Sequence, residues 1–318
     1  MEKILLTEVE VTSLREKHYN ATVSEIIVQH DTLACFRIKP DFSFPKFESG
    51  QYTTLGLGYW ESRHKDAIPE IGLAEKKISR LVRRAYSVSH PITDSTENLV
   101  ESKKIDFLEF YIVMVIGNDG EEAPALTPRL FMLKEGDRLH LGEKFTGDYT
   151  IGCMEEITKK DNSLVVFAGT GTGEGPHNHM IWNLLQQGYK GQIASINCVR
   201  YKKDLAYEQK YRNLEKKFPN LSYHTLTTRE SDTLHNKTYI QDYISSGTFE
   251  KKIGREMHPE DTHMFLCGNP SMIGIPKIKD GEKIWPEGQK GVIQIMEDRG
   301  FTMDYAKRIG NIHYEKYW

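Results

Sequence analysis

No Cys-x-x-Cys pair occurs anywhere in the 318 residues, and the four cysteines, Cys35, Cys153, Cys198 and Cys267, lie far apart. Neither a structural zinc site nor an iron–sulfur cluster is therefore written into the chain, and no metal site is expected. No apolar run is long enough to span a bilayer. The N-terminal stretch lacks a sustained apolar core and a small-residue cleavage site, so we expect no signal peptide, and reduced thiols in a cytoplasmic protein. Charge of one sign is also missing. The net charge is −3, and the pairs Lys103-Lys104, Lys159-Lys160 and Lys202-Lys203 are scattered, whereas a nucleic-acid groove gathers its cations on one face.

What is present is enough apolar and aromatic material (38% and 10%) for packed cores, and a length that suggests two domains at roughly 150 residues each. The first half contains short segments rich in β-branched and aromatic residues: TVSEIIVQH, LACFRIK, QYTTLGLG, RAYSVSH, FLEFYIVMVI and DRLHLG. With little helix between them, they predict an antiparallel β-barrel or sandwich. The one interruption, LTPRLFMLKEG, reads as a helix with Thr127 as N-cap, Pro128 at its first position and Gly136 as its stop. Beyond about residue 159 strand and helix alternate, which predicts an α/β doubly wound parallel sheet. We expect domains at 1–158 and 159–318. The charged stretch 59–82 has no readable role beyond a short helix in its later part.

Three motifs carry chemistry. In VVFAGTGTGEGPH (165–177) an apolar strand runs into Gly169, Gly171, Gly173 and Gly175 before Pro176 opens a helix. Glycines admit a ligand close to the backbone, and the free N–H groups of a helix start favour phosphate. The loop lacks the spacing of the G-x-G-x-x-G dinucleotide fingerprint, because positions 174 and 176 are Glu and Pro, and it lacks the P-loop lysine. In RRAYSVSHP (83–91), Arg84 and Tyr86 share one strand face and Ser87 takes the other. In FLCGNPSM (265–272) a strand ends on Cys267 and Gly268, and carboxyl ends of parallel strands are where open α/β sheets bind ligands. His177 and His179, two apart on a helix, point different ways and are not read as metal ligands.

Together with the ending IHYEKYW, these motifs resemble the ferredoxin:NADP+ reductase family, over about Gly50 to Trp318 and most closely its bacterial single-chain members. The resemblance implies an FAD-binding barrel followed by an NADP(H)-binding domain. It assigns FAD to Arg84, Ala85, Tyr86, Ser87, Tyr111, Ile112, Val113, Met114, Ala125, Leu126, Thr127, Thr172, Tyr317 and Trp318. Arg84 would pair with the pyrophosphate, Tyr86 would stack on the isoalloxazine and Ser87 would bond near its N5. The residues 125–127 would hold the pyrophosphate. NADP falls to Thr170, Gly171, Thr172, Gly173, Arg200, Thr228, Arg229, Lys237, Cys267, Gly268 and Asn269, with Arg200, Arg229 and Lys237 as the 2′-phosphate cluster. Glu230, adjacent to Arg229, is a carboxylate of the kind an NAD site would use.

The implied activity is an oxidoreductase that passes electrons between NADPH and ferredoxin or flavodoxin, by hydride to flavin N5 and then single-electron transfers. Ser87 and Cys267 would orient the reactants and Glu315 would handle protons or balance charge. The aromatic terminus would belong to the flavin site, with Trp318 covering the adenine and the role of Tyr317 open; a plug in a hydrophobic groove is the plainer reading. A flavin reductase component serving an oxygenase or cytochrome is the alternative, and a nucleotide-binding regulatory module is a third reading.

Overall fold

The structure is a computed structural model and describes residues 6–118, 120–154, 162–306 and 308–317, with backbone only at 153 and 154. It divides into two compact units: Met1–Phe47, Gln51–His90 and Glu101–Asp148 form one, and Glu48–Gly50, Pro91–Val100 and Tyr149–Trp318 form the other.

The first unit opens with helix α1 (Glu8–His18), which the apolar pattern does not announce because no residue of it is buried. Its start is a capping box: the Thr7 hydroxyl accepts from Glu10 N (3.3 Å) and the Glu10 carboxylate accepts from Thr7 N (2.8 Å). Six strands follow: β1 (Ala21–His30), β2 (Leu33–Pro40), β3 (Tyr52–Gly58), β4 (Leu81–Ser87), β5 (Leu108–Val113) and β6 (Arg138–Leu141). All pairings are antiparallel, in the order β4-β3-β6-β1-β2-β5. The period-two pattern is the cause. Phe36 and Ile38, Leu55 and Leu57, Phe110 and Ile112, and Leu139 and Leu141 all enter one core, and each such side chain contributes about 1.5–3 kcal/mol of burial. Beyond its last strand residue, β4 continues to Ser89, whose N–H donates to Glu109 O (2.8 Å) in an antiparallel bridge. That bridge joins the two edge strands and makes the sheet barrel-like.

Short helix α2 (Glu75–Ile78) lies in the charged 59–82 stretch, as its sequence suggests. Helix α3 (Thr127–Leu130) is much shorter than the 126–136 segment predicts, and its N-cap is Leu126. Thr127 Oγ1 accepts from Val115 N (3.0 Å) instead of capping, which leaves the helix without a side-chain anchor at its start.

The second unit is built on a five-stranded parallel sheet of β7 (Leu164–Thr170), β8 (Gln192–Val199), β9 (Leu221–Thr227), β10 (Thr262–Gly268) and β13 (Ile312–Lys316), ordered β13-β10-β7-β8-β9. Helices α4 (Glu174–Gln186) and α5 (Glu208–Lys217) follow β7 and β8. Then come α6 (Ile240–Ser245), α7 (Thr248–Ile253) and α8 (Pro270–Ile273), a hairpin of β11 (Lys277–Lys279) and β12 (Glu282–Ile284), and α9 (Val292–Glu297). Strand order reverses between β7 and β10, the switch point at which such sheets bind ligands. Every residue of β10 is buried, as continuous apolar strands covered on both faces require. One face packs Leu164, Val166, Ala168, Met264 and Leu266 against Ile240, Phe249, Val292, Ile293 and Met296. Helix α9 thus joins the core through Val292, Ile293 and Met296. No helix among the described residues is long and apolar enough to cross a membrane.

Candidate functional site

In the first unit, the Ser89–Glu109 bridge fixes the register of β4 against β5. The bridge is isolated, and it brings the end of the R-x-Y-S strand to the β5 edge that leads into Tyr111–Met114. Arg84 is exposed, donates to Arg83 O (2.9 Å) and makes no ion pair among the described residues. Tyr86 packs against the barrel core, and burial raises its phenol pKa well above the ordinary value, so it is a neutral flat ring. Ile112 and Leu126 face the core, which leaves their backbone groups as what they can offer a ligand. The Thr127 hydroxyl and the Arg84 guanidinium are polar groups suited to a pyrophosphate, and the exposed apolar Val115 and Ile116 are a surface suited to a flat aromatic.

In the second unit, the glycine loop turns at the carboxyl end of β7 through a 3-10 turn, Gly171–Gly173, into α4. Gly171 has φ +56°, a left-handed conformation that suits glycine. Gly173 is the N-cap of α4 and supplies no side-chain cap, but Glu174 N–H is bonded to Gly171 O and the third helical residue, Pro176, has no N–H, so what this turn offers an anion is the bare glycine backbone of 171–173. A Cβ on Gly173 would lie 2.4 Å from Cys267 O, and one on Gly268 2.3 Å from Thr170 Oγ1. The two loops therefore meet backbone to backbone at the switch point. Thr170 Oγ1 accepts from Asn269 N (2.7 Å), which ties the two loops together, and Asn269 Oδ1 accepts from Ser271 N (2.8 Å), which caps α8. Backbone close enough to be cut off by a single methyl is a cradle of the kind a dinucleotide needs, and it fits NADP.

Cys267 pairs in register with Glu315. Burial pushes the Cys267 thiol pKa well up, Glu315 adds to that rise and a hydrogen bond from Tyr317 opposes it. Cys267 is thus a neutral thiol. Tyr317 N also donates to Gly268 O (3.1 Å), which ties the end of the chain to the same loop. Trp318 lies outside the described residues. Ser87 belongs to the first unit, whereas Cys267 and Glu315 belong to the second.

Arg200 and Arg229 follow the ends of β8 and β9 and are joined by Arg229 N donating to Arg200 O (2.8 Å). Both are exposed, as is Lys237, and none of the three makes an ion pair among the described residues. Lys237 lies three residues ahead of α6, which starts at Ile240. Glu230, the carboxylate that favours NAD on sequence grounds, has an oxygen engaged by Lys202 N (2.5 Å). Thr228 is buried, with its hydroxyl donated to Val199 O (3.2 Å).

The family model for the oxidoreductase NAD-binding domain matches residues 167–277. The flavodoxin/ferredoxin–NADP reductase of Shigella flexneri is 30% identical over 252 residues, which cover 77% of this chain and 84% of that protein. The chain belongs to the flavodoxin/ferredoxin–NADP reductase family. The namesake from Buchnera aphidicola (Schizaphis graminum) is 29% identical over 276 residues, 86% of this chain and 88% of the relative. A solved ferredoxin NADP+ reductase from Neisseria gonorrhoeae shares the fold, with a TM-score of 0.65 at 20% identity over 93% of this chain and 97% of that one.

Within this family frame, two groups escape sequence reading. His177, buried on α4, bonds Tyr149 Oη (2.7 Å), while the ring of His179 turns to Trp182, 5.7 Å away. Glu174, also fully buried, accepts from Tyr223 Oη (2.7 Å) through Oε1, and its Oε2 has no hydrogen-bond partner among the described residues. Nothing in G-T-G-T-G-E-G separates a buried glutamate from a solvated one. The only local signal is its place in the first turn of a helix that runs on into Ile181, Leu184 and Leu185.

Proposed function

We propose that this chain binds FAD in its first unit and NADPH in its second, and passes electrons from NADPH to a one-electron carrier such as ferredoxin or flavodoxin. The observation that carries the reading is the meeting of the 170–173 and 267–269 loops at the switch point of the parallel sheet. The relatives named flavodoxin/ferredoxin–NADP reductase, and the similar Neisseria gonorrhoeae reductase solved with bound FAD and NADP, support it. When bound, the flavin supplies the exchange between hydride and single-electron transfer that a nicotinamide alone lacks.

The chain's own residues bind and orient. Gly171 and Gly173 keep the backbone of the turn bare, so a pyrophosphate can come close to it. Arg200, Arg229 and Lys237 offer unpaired cations to a 2′-phosphate. The neutral Cys267 thiol packs without attacking the ring, and Glu315 beside it is placed to hold or give a proton. In the first unit Arg84 and the 125–127 turn take the flavin pyrophosphate, and Tyr86 and Ser87 address the ring.

Arg229→Ala tests the nucleotide assignment. Loss of a charge-assisted contact of about 1.5–3 kcal/mol lowers kcat/KM for NADPH on the order of 10- to 100-fold. Ferricyanide reduction with NADH stays near wild type. Equal losses with the two nucleotides, or a wild-type enzyme that uses NADH as well as NADPH, would overturn the 2′-phosphate role.

A further inference from the structure

The segment after β3 has no chemistry of its own in the sequence, yet it is bonded at several points to the turn that precedes α3. His64 N donates to Pro128 O and Ile68 N to Ile116 O, each at 2.9 Å. A Cβ on Gly117 would lie 2.7 Å from Ile68 Cδ1, so the two strands of chain are in direct contact. At the centre is Arg129, 2% exposed. Its Nη1 and Nη2 donate to the two Glu70 oxygens (3.1 and 2.7 Å), and the same two nitrogens donate to Ala125 O (2.5 Å) and Tyr59 O (2.9 Å). Arg63 pairs with Glu70 as well (2.9 Å) and donates to Ile68 O (2.9 Å), closing the segment on itself. Burial pushes the Glu70 carboxyl pKa up, but the Arg129 hydrogen bond and the Arg129 and Arg63 charges hold it below the ordinary value.

Alanine or lysine could not replace this guanidinium, because a buried forked donor is what joins one carboxylate to two separate carbonyls. Nor could Arg129 stay folded inward without Glu70, since an unpaired buried charge costs far more than the pair gains. We propose that residues 59–70 form a strap that holds the 125–127 turn in its flavin-binding shape. Glu70 is its positioning residue, acting through Arg129. This rests on the reading of 125–127 as the FAD pyrophosphate turn and goes beyond it, because Glu70 itself need never touch the flavin.

The test is FAD titration of the apoprotein of the full chain, read by quenching of flavin fluorescence, alongside NADP+ binding as a control on the second unit. Glu70→Ala raises the FAD dissociation constant on the order of tenfold or more, with NADP+ binding unchanged. Glu70→Gln, which keeps shape and loses charge, falls between. Arg63→Ala, which spares the Glu70–Arg129 pair, raises the constant a few-fold and decides the matter if Glu70→Ala does not fold. Wild-type FAD affinity in Glu70→Ala, or in Arg63→Ala where only that variant folds, overturns the strap. Thr127→Val and Arg84→Ala separate the two readings. If they weaken FAD while the Glu70 and Arg63 variants do not, the strap is wrong and the flavin site stands. If they too leave FAD affinity unchanged, the flavin site and the strap fall together.

Discussion

Gly173→Ala is expected to cut NADPH-dependent turnover by about 100-fold, the scale on which misplacing bound groups by an ångström acts. The added methyl meets Cys267 O at 2.4 Å, Cys267 C at 2.7 Å and Gly268 N at 3.1 Å. All three are backbone atoms at the end of β10, with no flexible side chain to swing aside. The loops must part, and the 170–173 turn and the 267–269 turn then no longer face one ligand. Overpacking of this kind costs about 1–3 kcal/mol of stability, so the variant still folds. Gly171→Ala is the contrast. Its methyl meets nothing within 4 Å, and the cost is conformational, about 1–2 kcal/mol for an αL alanine. Steady-state kinetics with NADPH, with FAD content measured on the same samples, separates the two. The cradle is misassigned if Gly173→Ala retains wild-type kcat/KM.

Glu174→Gln should remove the alkaline limb of the stability profile. Burial raises the Glu174 pKa from 4.5 to about 8, the Glu208 charge adds to the rise and the bond from Tyr223 Oη only partly offsets it. A group whose folded pKa is raised holds its proton more tightly in the native state. Its contribution is full below pH 4.5 and is lost as pH climbs to about 8. At about 1.4 kcal/mol per pH unit, that loss is roughly 4–5 kcal/mol. His177 and His179 act in the opposite sense: burial depresses them from 6.5 to about 3 and about 4. Their stabilisation is present above pH 6.5 and is lost as pH falls through those values. The three groups together set a maximum near pH 6.5; Glu174→Gln flattens its alkaline side and steepens its acid side between pH 4.5 and 6.5. Thermal midpoints between pH 5 and 9 check this. Parallel curves for variant and wild type would show that Glu174 is ionised, or solvated, in the folded chain.

The barrel strands were legible because one buried face imposes period two, as in Phe36 and Ile38 or Leu139 and Leu141. The cradle was legible because glycines at 169, 171 and 173 answer to a local backbone demand. Other features depend on partners far along the chain. Arg129 meets Glu70 from 59 positions away, and neither residue's neighbours reveal the pairing. Helix α1 buries nothing, so only the Thr7–Glu10 capping box could have announced it. Val292, Ile293 and Met296 of α9 sit in a stretch dominated by Lys, Gly and Pro, and they join the core only because the sheet leaves a face for them. Glu174 was hidden for the same reason, since its burial is decided by Tyr211 and Tyr223, on α5 and β9.

The most direct test of the electron-transfer function is a count of electrons. The purified chain, loaded with FAD and mixed anaerobically with NADPH, should lose its yellow colour. It should then reduce added ferredoxin or flavodoxin at about two carriers per NADPH, with the colour returning. A colourless chain with no releasable FAD, or one that reduces neither carrier while bleached by NADPH, would contradict it.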